Sequence, residues 1–119
     1  MTALECLETA RASGTAWQRV VNSFVDDFRR ADVDQKRAMT TDPIRQQGRL
    51  EGLVAAVVSA LCREAAIDAP DWVGTIGSPD PFFAFPARSF EMRLRLMIES
   101  PPPFRVRNVF VPESYLSRA

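Results

Sequence analysis

The stretch from Leu50 to Ile67, LEGLVAAVVSALCREAAI, limits what this chain can fold into more than any other. Leu50, Leu53, Val54, Val57, Val58, Leu61 and Ala65 recur at helical spacing and form one continuous apolar face. The opposite face carries Ala55, Ala56, Ser59, Ala60 and Cys62 where a surface helix would carry charges, so neighbours can approach from more than one side. This predicts the central helix of a small all-α bundle. Asp42-Pro43 marks its start, because Asp is a good N-cap and a proline at the first helical position has no amide to leave unpaired. The central helix is therefore expected over about 43–67. Within it, Gly48 and Gly52 each cost about 1 kcal/mol relative to alanine, which points to close approach by a neighbouring segment.

At 119 residues, 46% of them apolar and 25% charged, the chain has enough material for one ordinary core, so a single domain over 1–119 is expected. Fifteen basic and fifteen acidic residues cancel, leaving no global field to draw the chain onto nucleic acid or an anionic membrane. Histidine is absent, which removes imidazole as base or metal ligand. Cys6 and Cys62 each lie in a helical pattern where a small apolar side chain fits, and both are read as reduced core thiols rather than a disulfide. The N-terminus has no signal-peptide pattern and the apolar run from Leu53 to Leu61 is too short for a bilayer, so a cytoplasmic protein without a membrane partner is expected.

In chain order, Thr2 to Ser13 reads as a short helix ending at Gly14, and Thr15 reads as the cap of a second with a Trp17, Val20, Val21, Phe24, Val25, Phe28 stripe. Arg29 to Thr41 alternates charges and suits a solvated helix or loop in which at most Val33 and Met39 touch the core. After Ile67, Pro70, Pro79, Pro81 and Pro86 with Gly74 and Gly77 exclude a long helix. Pro70 to Val73 can make one helical turn that plugs Trp72 against the bundle, and Asp80-Pro81 repeats the cap-plus-proline signal. Ser89 opens a helix to Ser100 whose apolar stripe is Phe90, Leu94, Met97 and Ile98, with Arg93 and Arg95 outside. Pro101 to Pro103 lead through a turn into an extended segment up to Val111, and Pro112 to Ala119 closes with a helical turn carrying Tyr115 and Leu116. The expected architecture is a helical bundle around the central helix, with a Pro/aromatic-rich loop and a C-terminal helical region.

The chain holds no Gly-rich phosphate cradle, no metal-ligand spacing and no Ser-His or Cys-His pair, so no cofactor or metal is expected. Asp26 and Asp27 are adjacent, and adjacent helical residues diverge by about 100°, so they are read as ordinary surface acids and not as a catalytic carboxylate pair. A non-enzymatic protein follows. Arg93, Arg95, Arg105 and Arg107 are the one local basic concentration, readable as a solvated edge, a protein contact or a phosphate contact. Trp72, Phe82, Phe83 and Phe85 must be buried over the bundle or form an exposed patch. The expected division makes Trp72 and Phe85 plugs and leaves Phe82 or Phe83 partly exposed beside Arg105 and Arg107, an aromatic anchor flanked by arginines. Phe82, Phe83, Arg93, Arg95, Arg105 and Arg107 are thus the candidate partner-binding residues.

Pro70-Asp71-Trp72-Val73, then Phe82-Phe83-Ala84-Phe85-Pro86, then Glu99 to Val111 (ESPPPFRVRNVFV) and the terminal Leu116-Ser117-Arg118-Ala119 follow one another in a recognisable order. This order resembles that of a mainly actinobacterial domain family, itself similar to the C-terminal half of helix-turn-helix regulators and antitoxins found beside nucleotidyltransferase-like toxins. The resemblance covers about fifty residues. It implies an antitoxin whose protein partner is the cognate toxin, and it brings no catalytic residues with it. The alternative is a DNA-binding transcriptional regulator. Thr2 to Asp42 offers no helix-turn-helix, so what the resemblance implies is the partner-binding half, with DNA bound only weakly or in complex.

Overall fold

Thr2 begins the chain's first helix because its hydroxyl accepts the Glu5 N–H while the Glu5 carboxylate accepts the Thr2 N–H, a reciprocal capping box. The structure, a computed structural model, describes residues 1–117; Arg118 and Ala119, the end of the Leu116 to Ala119 motif, lie outside the described residues. Helix α1 runs Ala3–Ala12 and gives way at Gly14, whose φ of +55° is the left-handed conformation glycine adopts freely. A 3₁₀ turn over Gly14–Ala16 then precedes α2, Trp17–Arg30, so Thr15 is not its cap; Ala16 stands there without a side-chain bond. The α2 stripe is core as expected, with Val21, Phe24, Val25 and Phe28 buried. Helix α3, Val33–Met39, is capped by an Asp32–Gln35 box and buries no residue; Met39 packs against the core and the Lys36 ammonium lies 5.7 Å over the Phe28 ring, while Val33 stays exposed.

The central helix α4 is Arg49–Glu64, and every residue from Glu51 to Val58 is buried, with Leu61 and Cys62 beyond them. It is surrounded as its alanine-rich second face predicts: α1 and α2 pack on it, as do the 3₁₀ turn Asp71–Thr75 and the C-terminal segments. Its start differs from expectation by about two turns. Residues 43–48 are irregular, because Gln47 accepts the Gly77 N–H and donates to the Thr75 carbonyl, and the Gly48 N–H donates to Gly77 O at 3.0 Å. Those bonds hold 47–48 extended against 75–77, and Ile44 plugs the core instead of opening a helix. The helix stops at Glu64 rather than Ile67, with Ala66 at φ +56° closing the turn.

Downstream, β1 (Phe82–Phe83) follows Asp80-Pro81 where the cap-plus-proline signal suggests a helix. Helix α5 (Phe90–Glu99) and the single turn α6 (Pro102–Arg105) lead to β2 (Val109–Phe110), which pairs in parallel with β1 in the register Phe82 with Val109 and Phe83 with Phe110. The protein is all-α apart from this small ladder, with one core cluster that reaches from Ala3 to Val111. Phe104 and Val109 are fully buried and belong to it, and Phe104 meets Tyr115 edge-on at 5.6 Å. Tyr115 donates in turn to Gln18 on α2 at 2.7 Å.

Both cysteines are free and buried. Burial pushes the Cys6 thiol up from 9.0 to about 12, against a small opposing pull from the N-terminal ammonium, and raises Cys62 in the same direction. Above pH 9 the unfolded chain ionises Cys6 while the folded chain keeps its proton, so the native state binds more protons. Stability therefore falls as pH rises through the interval from 9.0 to about 12, by up to about 1.4 kcal/mol per pH unit for that group. Denaturant melts across this range should show the slope, and Cys6→Ala should reduce it without abolishing it, because burial also raises Cys62 and Tyr115.

Candidate interaction surface

Helix α5 is fixed at both ends. At its start the Ser89 hydroxyl accepts the Met92 N–H at 3.1 Å, and Arg93 donates to Ala87 O at 3.2 Å while its guanidinium lies 5.6 Å over the Phe83 ring. At its end the buried Ser100 hydroxyl accepts the Val111 N–H at 2.9 Å, tying the helix to the residue after β2. Between these anchors only Leu96 is buried.

The stripe predicted to face the core faces solvent instead. Phe90 is 80% exposed, Ile98 68%, Leu94 45% and Met97 43%, with Met92 also exposed. The physical reason is that six of the ten residues of FEMRLRLMIE are apolar and they occupy both sides of the helix. Leu96 takes the inward position, and at about 100° per residue Leu94 and Ile98 must then point away. Periodicity identifies the residues that share a face, and here the face with fewer apolar residues was the one buried. Phe85, expected as a plug, is likewise 48% exposed. A contiguous apolar surface of this kind on a folded protein marks an interaction site.

Among the candidate residues, the structure brings Phe83 and Arg93 together and separates the rest. Phe82 and Phe83 are half-buried, and as neighbours on a strand they point opposite ways, Phe82 to Trp17 at 5.8 Å and Phe83 to Phe110 at 5.2 Å. The guanidinium on Phe83 belongs to Arg93 and not to Arg105 or Arg107. Arg107 is a structural residue, donating to Val73 O at 2.8 and 3.1 Å and to Pro103 O at 2.7 Å, and burial lowers its pKa. Arg95 lies 3.7 Å from Glu99 as an exposed pair, and Arg105 is exposed. Trp72 plugs the bundle as expected, its indole N–H donating to Thr40 O at 2.9 Å.

Beside the apolar stripe, Glu91, Leu94, Arg95, Ile98 and Glu99 line a shallow open groove of about 350 Å³. A second depression of the same volume lies between Gln47, the 74–79 segment and Arg107, and its polar side chains are already engaged with backbone. Among the described residues no cluster of Cys, Asp and Glu is placed to hold a metal ion, and no helix is long and apolar enough to cross a membrane. Compared with protein-family models, with curated proteins and with solved structures, the chain matches none of them.

Proposed function

We propose that this chain is a non-enzymatic protein-interaction domain acting in the cytoplasm, the antitoxin of a toxin–antitoxin pair that binds and neutralises a nucleotidyltransferase-like toxin. The observation that carries the interaction reading is α5, a well-anchored helix presenting Phe90, Leu94, Met97 and Ile98 to solvent. A helix laid by its apolar stripe into a partner's groove is a standard recognition mode, with anchors at i, i+4, i+7 and i+8 as here. The choice of a toxin as partner comes from the resemblance of the Pro70 to Ala119 motifs. Binding by this helix would mask the toxin by occupation of its surface and would need no chemistry from the chain.

The test is co-expression with the product of the neighbouring open reading frame. Leu94→Glu with Ile98→Glu should leave the melting temperature nearly unchanged, because both side chains are exposed. The same double variant should abolish co-purification and rescue from toxicity. Full rescue by it would remove α5 as the masking surface. Nanomolar, sequence-dependent retention of DNA by the isolated chain, well below the roughly 10⁻⁴ to 10⁻⁶ M of non-specific binding, would replace the antitoxin reading with that of a repressor.

A further inference from the structure

On α5, with about 100° per residue, the apolar stripe runs Phe90, Leu94, Met97, Ile98, opposite the buried Leu96. One flank of that stripe carries Glu91, Arg95 and Glu99, one turn apart and alternating in sign. On the other flank Arg93 is held over Phe83. The charges along the helix therefore cancel, two acidic against two basic, and a partner of strong net charge finds nothing to complement. A second copy of the same helix does.

We infer that in the free chain α5 is covered by α5 of a second copy, packed antiparallel and offset by one turn, so that Glu91 of each faces Arg95 of the other. The reasoning is geometric. In an antiparallel helix pair each flank meets the same flank of its partner in reverse order. With Arg95 opposite Arg95, Glu91 would meet Glu99, and like charges would face each other along the whole edge. The offset that puts Glu91 opposite Arg95 gives two opposite-sign pairs, while each Arg95 keeps the Glu99 of its own helix at 3.7 Å. At a rise of about 1.5 Å per residue, that same offset sets Phe90 midway between Leu94 and Ile98 of the second copy, the knob-into-hole placement of packed helices. In a parallel pair the Glu91–Arg95–Glu99 flank would instead face the Arg93 flank of the second copy, whose guanidinium is already held over Phe83.

This inference rests on the reading of α5 as a docking helix and adds its regulation: the toxin takes the face that the second copy covers. One ten-residue helix from each copy makes a contact below the standard size of a stable complex. The dimer is accordingly reversible, and the partner can displace it.

Light scattering on the full chain across a concentration series should show the mass rising from 13.3 kDa towards twice that value. Leu94→Glu with Ile98→Glu should hold it at the lower mass with an unchanged circular-dichroism melt. Arg95→Glu should weaken the dimer about tenfold, and Glu91→Arg added to it should restore the affinity by swapping the signs. A monomer at every concentration, a dimer indifferent to the Leu94 and Ile98 changes, or a double reversal no tighter than the single one would each overturn the proposal. Toxin capture measured at concentrations where the chain is monomeric tests the functional reading separately, since capture without dimerisation leaves that reading standing.

Discussion

Val57→Asp abolishes cooperative folding. Val57 sits in the middle of α4, 1% exposed, within the unbroken buried run from Glu51 to Val58. The cations closest in sequence, Arg49 and Arg63, lie at the exposed ends of the helix, away from the centre of that run. Burying an unpaired carboxylate costs several kcal/mol even after it takes up a proton. Lost packing adds to this, against a total stability of about 5–15 kcal/mol for a domain of this size. The far-UV circular-dichroism melt should lose its transition. Ser59→Asp, at a half-buried position on the same helix, should only lower it. An unchanged melt for Val57→Asp would remove α4 from the centre of the fold.

The prominence of α4 was legible because the signal is local: an apolar face and a small-residue face cannot both be satisfied at a surface. The α2 stripe and the caps at Thr2 and Ser89 were legible for the same reason, each needing only neighbours three or four residues away. What escaped the sequence depends on distant partners. Asp42-Pro43 is a good helix start, but Gln47 and Gly48 have a stronger claim on Thr75 and Gly77, some thirty residues on. The pairing of Phe82 and Phe83 with Val109 and Phe110 is likewise long-range, and short apolar runs do not say which partner they will find. The exposed α5 surface was half legible. Six apolar residues in ten, with Met92 and Leu96 opposite the main stripe, exceed what one buried face can use. That excess was the available sign that one apolar side had been left for something else.

Gly52 is where the central helix meets the 77–78 segment, and its replacement should reverse the usual helix rule. Glycine to alanine inside a helix ordinarily gains about 1 kcal/mol. Here a Cβ at Gly52 would lie 2.7 Å from Ser78 N and 2.8 Å from the Gly77 carbonyl carbon, backbone atoms that cannot rotate aside. The same two residues form a clamp. Gly77 receives the Gly48 N–H and donates its own to Gln47, and the Ser78 N–H donates to Arg107 O at 2.9 Å. Arg107 and Asn108 lead into β2, β2 holds β1, and Phe83 on β1 carries Arg93 of α5. Moving the clamp therefore loosens the whole C-terminal third. Overpacking of this kind costs about 1–3 kcal/mol, enough to outweigh the propensity gain, so Gly52→Ala should lower the melting temperature. Gly52→Val, with two further methyl groups and a β-branch, should lower stability by about 3 kcal/mol, roughly 10–20 °C, and speed amide exchange at Ser78 and through β2. Gly74→Ala meets nothing within 4 Å and should change little. A Gly52→Ala protein that melts above the parent would mean that the 77–78 segment does not lie on α4, and the anchoring of the α5 surface through β2 would lose its foundation.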